Sequence, residues 1–328
     1  MIATETLNSP AGVEELEHFV ARHGRQGYTP WHQIATSDRV DALVRQRIHN
    51  LLMRESTHRI CWRNDFETAG LACWTELAWD SEQFGFPAAR LDLLVAGGDR
   101  AEAATVKRDL VSETVLACGN RGIHHITARV DAADLTSIEA LRKNNFDLID
   151  GIQTFSLRIP LAATFQTEPH SFDLRLYRES DLPQVRELAR TAYIHDRFHA
   201  DSALDTGTAD RVNETWVVNS CLGHIADAVI IASAGDRILG YVTCRIDKEA
   251  TRVLGIGCGE IGMVATAAAA RNSGVASAAT MAALEWFSLQ GVSFIEVGTQ
   301  LRNIAAARLY ERCGFRMAAA SLTWRRIV

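Results

Sequence analysis

Six consecutive residues, Arg271-Asn272-Ser273-Gly274-Val275-Ala276, have the chemistry of a phosphate cradle. Gly274 and the small Ala276 let backbone approach a ligand closely. The apolar run that follows, to about Gln290, reads as a helix, so unpaired N–H groups and the positive end of a helix dipole face whatever docks at its start. Such an end favours a pyrophosphate, and Arg271 adds a fixed cation beside it. Taken alone, the same residues serve equally well as a glycine-containing helix entrance next to a solvated arginine.

The elements around the loop are strand-like and helical in alternation. Glu260-Ile261-Gly262-Met263-Val264-Ala265-Thr266 reads as a strand leading into it, and Val292 to Gly298 as a second strand after the helix. Asn303 to Phe315 is a second helix and spells Asn-x-x-Ala-x-x-Leu-Tyr-x-x-x-Gly-Phe. The loop and this helix, at this spacing, resemble the acetyl-CoA-binding core of the GNAT N-acetyltransferases. The resemblance implies that Arg271, Asn272, Ser273, Gly274, Val275 and Ala276 cradle the pyrophosphate of acetyl-CoA. It implies that Asn303 and Ala306 line the pantetheine arm, and that the amides of Met263 and Val264 face the thioester carbonyl and its developing oxyanion. Tyr310 is then the general acid for the departing thiolate. A phenol suits that role, since it keeps its proton at neutral pH yet can surrender it to a nearby thiolate. The amine attacks directly and must lose a proton; Glu260, His199 and Asp201 are the candidate bases.

At 328 residues the chain predicts two domains, each large enough to bury a core. A net charge of −6 argues against a nucleic-acid partner. The sequence offers no apolar run long enough for a bilayer and no signal-peptide pattern at the start, which predicts a cytoplasmic protein without membrane insertion. Seven scattered cysteines without a Cys-x-x-Cys pair suggest neither a disulfide framework nor a zinc site, and no metal is expected.

Read in order, residues 1–57 form a helical extension, with Val13–Val20 and Ser37–Met53 at helical spacing. The extension packs on the first domain or, as the sharper alternative, forms a homodimer contact. Residues 58–160 read strand–helix–strand–helix–strand and echo the last quarter. Aligning Phe146 with Phe315 places Asp134 on Asn303, Leu141 on Tyr310 and Asn145 on Gly314. No Gly-rich loop precedes the helix near Ala103, so this half looks like a degenerate GNAT-type domain that neither binds CoA nor catalyses. His124 and His125 are strand neighbours and point to opposite faces, which argues against a shared ligand. Residues 161–171, with Pro160 and Pro169 bracketing the stretch, are the linker. Residues 172–328 are the catalytic GNAT-type domain, giving an α/β fold of two tandem domains, each a mixed, mainly antiparallel sheet flanked by helices.

Four further stretches narrow the resemblance: Trp79-Asp80-Ser81-x-x-Phe84-Gly85, Arg197-Phe198-His199-Ala200, Trp216-Val217-Val218-Asn219-Ser220, and Val297-Gly298-Thr299-Gln300-x-x-Asn303. They are similar to the branch of the family that acetylates nucleotide-linked amino sugars, the dTDP-fucosamine N-acetyltransferases. That similarity covers roughly Trp74 to Trp324 and is tightest from Arg197 onward; the segment before His58 departs from it. It implies a dTDP-linked amino sugar as the amine, with Arg197, His199, Asp201 and Gln300 on the substrate side. Acylation of another small amine and a non-catalytic CoA-binding sensor are the two other readings.

Overall fold

The computed structural model describes residues 2–3, 10–24, 30–64, 67–162 and 170–328. The expected linker falls largely on 163–169, outside the described residues. The chain runs twice through one order of elements. The first pass is β1 (Ile2–Ala3), α1 (Pro10–His23), a 3-10 turn (Pro30–Gln33), α2 (Ser37–Leu52), β2 (Thr57–Asn64), β3 (Glu67–Glu76), α3 (Ala78–Phe84), β4 (Ala88–Ala96), α4 (Arg100–Asn120), β5 (His125–Asp131), α5 (Leu135–Lys143) and β6 (Asp147–Arg158). The second is β7 (Asp173–Leu176), α6 (Leu182–Ala192), α7 (Arg197–Ala200), α8 (Thr206–Cys221), β8 (Ala228–Ala234), β9 (Arg237–Ile246), α9 (Lys248–Leu254), β10 (Cys258–Thr266), α10 (Val275–Leu289), β11 (Phe294–Gln300), α11 (Ile304–Arg312) and β12 (Arg316–Ile327).

Residues 1–57 are therefore the opening third of the first repeat rather than an added extension. Their apolar stripe explains why. Leu16 of α1 and Leu43 and Leu52 of α2 have no exposure, and α1 and α2 pack with Cys61, Leu71, Cys73 and Val95 of β2, β3 and β4. Each such leucine contributes about 1.5–3 kcal/mol by leaving water, and without the two helices that face of the sheet would be bare.

Contacts divide the chain into two compact units. One is Met1–Tyr28, Ser37–Gly151 and Ala320–Val328; the other is Thr29–Thr36 and Ile152–Ala319. These do not follow the expected segments 58–160 and 172–328, because the closing strands are exchanged. Ile152–Arg158 of β6 pairs antiparallel with β11 in the second unit, and Ser321–Ile327 of β12 pairs antiparallel with β5 in the first. The first unit carries the order β1-β2-β3-β4-β5-β12 and the second β6-β11-β10-β9-β8-β7. Among the described pairings within the units, only β4–β5 and β10–β11 run parallel, so the strands of each unit are mixed and mainly antiparallel. Around Gly151 the chain forms one continuous strand, β6. Helix α9 has no forerunner in the sequence reading.

In the second unit, α10 and α11 cover one face of the sheet with Ile261, Val297, Phe287 and Phe315. Helices α6 and α8 cover β8, β9 and β10 on the other, with Ile231, Tyr241, Met263 and Ala265. Among the described residues no helix is long and apolar enough to cross a membrane. All seven cysteines are free, and all but Cys221 are buried.

Candidate acyl-transfer site

In the second unit two strands part where the chemistry is expected. β10 and β11 pair only over Cys258–Ile261 and Phe294–Val297. Beyond that, β10 stays with β9 to Thr266 while β11 stays with β6 to Gln300. A bulge between Ile261 and Val264 adds the bend. The result is an open wedge between two strands, with backbone groups on its rim. Gly262 sits in the bulge and is exposed; a Cβ there would lie 3.0 Å from the Thr243 hydroxyl.

The six-residue loop lies at the start of α10, directly after β10. Asn272 (φ 62°) and Gly274 (φ 84°) both have left-handed backbone, flanking Ser273, whose hydroxyl donates to the Ala270 carbonyl at 2.7 Å. Arg271 to Gly274 are exposed. Gly274 is the N-cap of α10 and supplies no side-chain cap, so the first amides of a 15-residue helix are offered outward. Left-handed turns of this kind make concave nests of N–H groups that suit anions. The Val275 side chain belongs to the core (1% exposed), so only its amide can face a ligand.

Asn303 is the N-cap of α11, its Oδ1 accepting from the Ala306 amide at 3.2 Å. That leaves its NH2 to address a ligand. Seven residues on, two turns along the helix, Tyr310 is 4% exposed. Its ring packs against Phe155 and Phe315 at 5.8 and 5.9 Å between centroids. Burial, with Cys313 adding to it, pushes the phenol well above its ordinary pKa, so it holds its proton. On the opposite face Tyr193 and Tyr241 share a hydrogen bond of 3.1 Å, and burial raises both. For Tyr193 the neighbouring Tyr241 adds to the rise.

The Met263 amide donates to Thr243 Oγ1 at 2.8 Å, so an oxyanion donor there must come from Val264 or from a turn of Met263 away from that hydroxyl. Glu260 is ion-paired with Arg245 and 44% exposed. The α7 segment is tightly built. Asp196 caps α7 through the amides of Phe198 and His199, meets His199 Nδ1 at 2.8 Å and accepts from Asn213 at 2.9 Å. His199 Nε2 faces Asp210 at 3.1 Å. Arg302, next but one after Gln300, donates to the His195 and Asp196 carbonyls at 3.2 and 3.0 Å, which ties α7 to the end of β11. Arg197 stacks over Phe198 at 4.3 Å, and Asp201 is buried, accepting from the Ala203 amide. Glu260, Met263 and Val264 thus lie on β10, the 271–276 loop at the start of α10, and Asn303, Ala306 and Tyr310 at the start of or along α11. Arg197, His199 and Asp201 sit on the α7 side, fixed by each other and by α8. Thr243, Tyr193, Tyr241 and Arg302 had no local signal in the sequence; their roles come from partners far along the chain.

The first unit repeats the frame with the contents changed. β4 and β5 part after Leu91 and Ala128, but the bulge position holds Asp92, clasped by Thr75 and Arg90 at 2.5 Å each. Only three residues separate β4 from α4, and Asp99 and Glu102 close the helix start as a reciprocal capping box. The alignment of Asp134 with Asn303 holds in detail. Each caps its helix, and Asn145 (φ 56°) and Gly314 (φ 93°) are both left-handed. The amides of Phe146 and Phe315 return to Leu141 and Tyr310 at 3.1 and 3.0 Å. Lys107, with no exposure, reaches both Asp134 oxygens at 3.0 and 2.9 Å and the hydroxyls of Thr136 and Ser137. His125 is buried against Phe84 and Phe86, while His124 meets Phe86 alone of that pair. Among the described residues no cluster of metal-binding groups forms.

Residues 182–315 match the model of the acetyltransferase (GNAT) family, a span from α6 to the end of the Tyr310 helix. Over 240 residues the chain is 25% identical to a protein of Escherichia coli O6:H1 named dTDP-fucosamine acetyltransferase, covering 73% of this chain and 91% of that one. Over 190 residues it is 25% identical to the spore coat polysaccharide biosynthesis protein SpsD of Bacillus subtilis, covering 58% and 62%. In fold it is similar to a solved tandem GNAT protein from the clavulanic acid biosynthesis pathway (TM-score 0.62, 15% identity, 100% of this chain and 98% of that one). It is likewise similar to a GCN5-related N-acetyltransferase from Sphaerobacter thermophilus (TM-score 0.60, 13% identity, 100% and 95%). The diverging strands and the open helix start both lie within residues 182–315, the segment that matches the acetyltransferase (GNAT) family.

Proposed function

We propose that the protein transfers acetyl from acetyl-CoA to the amino group of a nucleotide-linked amino sugar. The observation that carries this is the wedge of β10 and β11 with an uncapped helix start on one side and a buried, protonated tyrosine on the other. The residues fit the donor. Asn272, Ser273, Gly274 and the first amides of α10 hold the pyrophosphate, with Arg271 beside it. The Asn303 amide and Ala306 line the pantetheine arm. Val264, or Met263 once released from Thr243, gives an N–H to the thioester oxygen as negative charge builds there. Tyr310 gives its proton to the sulfur as the C–S bond breaks, and the amine nitrogen loses one as the C–N bond forms. No covalent enzyme intermediate is required.

The acceptor class rests on the relative named dTDP-fucosamine acetyltransferase, supported by a family segment that includes α7. In this reading Arg197 meets a substrate phosphate, and His199, braced between two carboxylates, orients the acceptor. The first unit takes no acetyl-CoA: Asp99 and Glu102 occupy its helix start, Asp92 stands at its bulge and Leu141 replaces the acid. The test is thiol release from acetyl-CoA across nucleotide-linked 4-amino and 3-amino sugars, free amino sugars, polyamines and amino acids. Turnover confined to a nucleotide amino sugar is the expected result. Turnover only with an unlinked amine refutes the acceptor and keeps the chemistry. Acetyl-CoA binding with no turnover favours a CoA-binding sensor.

A further inference from the structure

Two tyrosines beside the wedge hold one more proton than their shared hydrogen bond uses. Tyr193 ends α6 and stands just before the α7 segment. Tyr241 lies on β9 opposite Ala265 of β10, and its ring belongs to the cluster of Met263 and Ala265. Tyr193 packs against the same cluster. Both rings therefore lie along the stretch of β10 that β11 has left, since the two strands pair only as far as Ile261 and Val297. Where two strands stop pairing, the two faces of a sheet are no longer walled off from each other. Tyr310, on the α11 side of that opening, is close enough to add to the rise in the Tyr193 pKa.

The two hydroxyls meet at 3.1 Å. Each phenol carries one proton and can also accept one, so the bond between them uses one proton and leaves the other. Tyr241 has no exposure, and among the described residues its hydroxyl meets that of Tyr193 alone. Were Tyr193 the donor, the Tyr241 proton would be buried without an acceptor and would bear the full cost of desolvation. Tyr241 is therefore the donor and Tyr193 the acceptor. Tyr193 is only partly buried, so its own O–H is the one turned out of the pair. Burial raises both phenols, and Tyr241 adds to the rise at Tyr193. Both keep their protons at neutral pH, which makes the pair a donor and not a base.

The wedge is short of such a donor. An oxyanion is held best by two or more hydrogen bonds aimed at it, and the Met263 amide is already given to the Thr243 hydroxyl. We propose that the Tyr193 hydroxyl is a donor to the thioester oxygen and that Tyr241 is the positioning residue that turns the Tyr193 proton toward it; this rests on the acyl-transfer reading of the wedge. As the amine nitrogen adds to the carbonyl carbon, an electron pair moves onto the oxygen, and the bond from Tyr193 strengthens without giving up its proton. The carbonyl re-forms as the C–S bond breaks, and the Tyr310 proton goes to sulfur. The proton shed by the nitrogen returns through solvent to the Tyr310 oxygen, leaving the enzyme unchanged. The two phenols thus divide the work: Tyr310 transfers a proton, and Tyr193 only lends one.

The test follows thiol release by the full chain with the panel amine that the wild type acetylates fastest. Tyr193→Phe keeps the ring and removes the proton. It is expected to lower kcat about a hundredfold. KM for acetyl-CoA and for the amine should stay within about twofold, because the bond answers a charge that exists only in the transition state. Tyr241→Phe is expected to lower kcat about tenfold, with both KM values kept. The variant carrying both changes is expected to match Tyr193→Phe alone, since Tyr241 acts only through Tyr193. Tyr193→Phe with a kcat within about threefold of wild type overturns the proposal. So does a rise in the amine KM at unchanged kcat, which places the hydroxyl on the acceptor instead. If Tyr241→Phe costs the same about tenfold in the Tyr193→Phe background, its effect is one of packing and Tyr241 is not a positioning residue. A wild type silent toward every amine refutes the acyl-transfer reading and this inference together, whereas an active wild type matched by Tyr193→Phe refutes this inference alone.

Discussion

Replacing Tyr310 with phenylalanine separates chemistry from packing. The ring is 4% exposed and wedged between Phe155 and Phe315. Truncation to alanine would remove that packing, at about 3–5 kcal/mol, and would confuse lost catalysis with lost fold. Phenylalanine keeps the ring and deletes one hydroxyl, worth at most about 1.5 kcal/mol of stability. In a unit of this size that is a fall in Tm of about 3–6 °C. A positioned acid contributes about 10²–10⁴ in rate, or about 2.7–5.5 kcal/mol of barrier. The expected result is a kcat lower by at least about a hundredfold, with acetyl-CoA affinity by calorimetry nearly unchanged. The pH dependence adds a sign. Burial raises the Tyr310 pKa, so the acid form persists above the usual phenol range near 10, and wild-type kcat should show no alkaline fall from this group through pH 9. A kcat within about threefold of wild type at both pH 7 and pH 9, with the protein folded, would refute the role of Tyr310 as the acid.

Four further outcomes are expected. Gly274→Asp places a carboxylate at the start of α10, as Asp99 does at α4, and should raise the acetyl-CoA Kd at least about tenfold; an unchanged Kd would mean that the pyrophosphate lies elsewhere. Calorimetry on the full chain should give one acetyl-CoA per chain, and two would show the first unit to be a working donor site. Lys107→Ala leaves the buried Asp134 carboxylate without its cation. Burial lowers the Lys107 pKa and works against the Asp134 carboxylate, but Ser137 and Lys107 more than offset it and hold Asp134 down. The loss should be about 3–5 kcal/mol, read by denaturant unfolding; a loss below about 1 kcal/mol would make the pair dispensable. Finally, burial raises Tyr193, Tyr241 and Tyr310. The unfolded chain then releases protons near pH 10 while the folded chain keeps them, so stability is full below that pH and falls as pH rises through it. Unfolding free energy that stays flat from pH 9 to 11 would contradict this.

The residues that carry local geometry were readable in the sequence. The glycine and small residues of 271–276 specify a left-handed entry to a helix, because only the near neighbours of Gly274 decide its backbone. The seven-residue step from Asn303 to Tyr310 puts a cap and a phenol on one helix two turns apart, whatever surrounds them. The stripes of α1 and α2 and the echo of Asn303 and Gly314 in Asp134 and Asn145 are of the same kind: each is settled by near neighbours in the chain. Tertiary structure decided the rest, because strand partners and side-chain contacts across hundreds of residues leave no local spacing to read. Sequence order alone made 1–57 an extension. Pairing made its β1, α1 and α2 the start of a full repeat, and sent β6 and β12 into each other's expected sheets. The same non-local contacts gave the Met263 amide to Thr243, joined Tyr193 to Tyr241 and set Trp31 against Glu296, 265 residues away. A donor's reach is fixed by where the chain returns in space, and that is known only once every strand has found its neighbour.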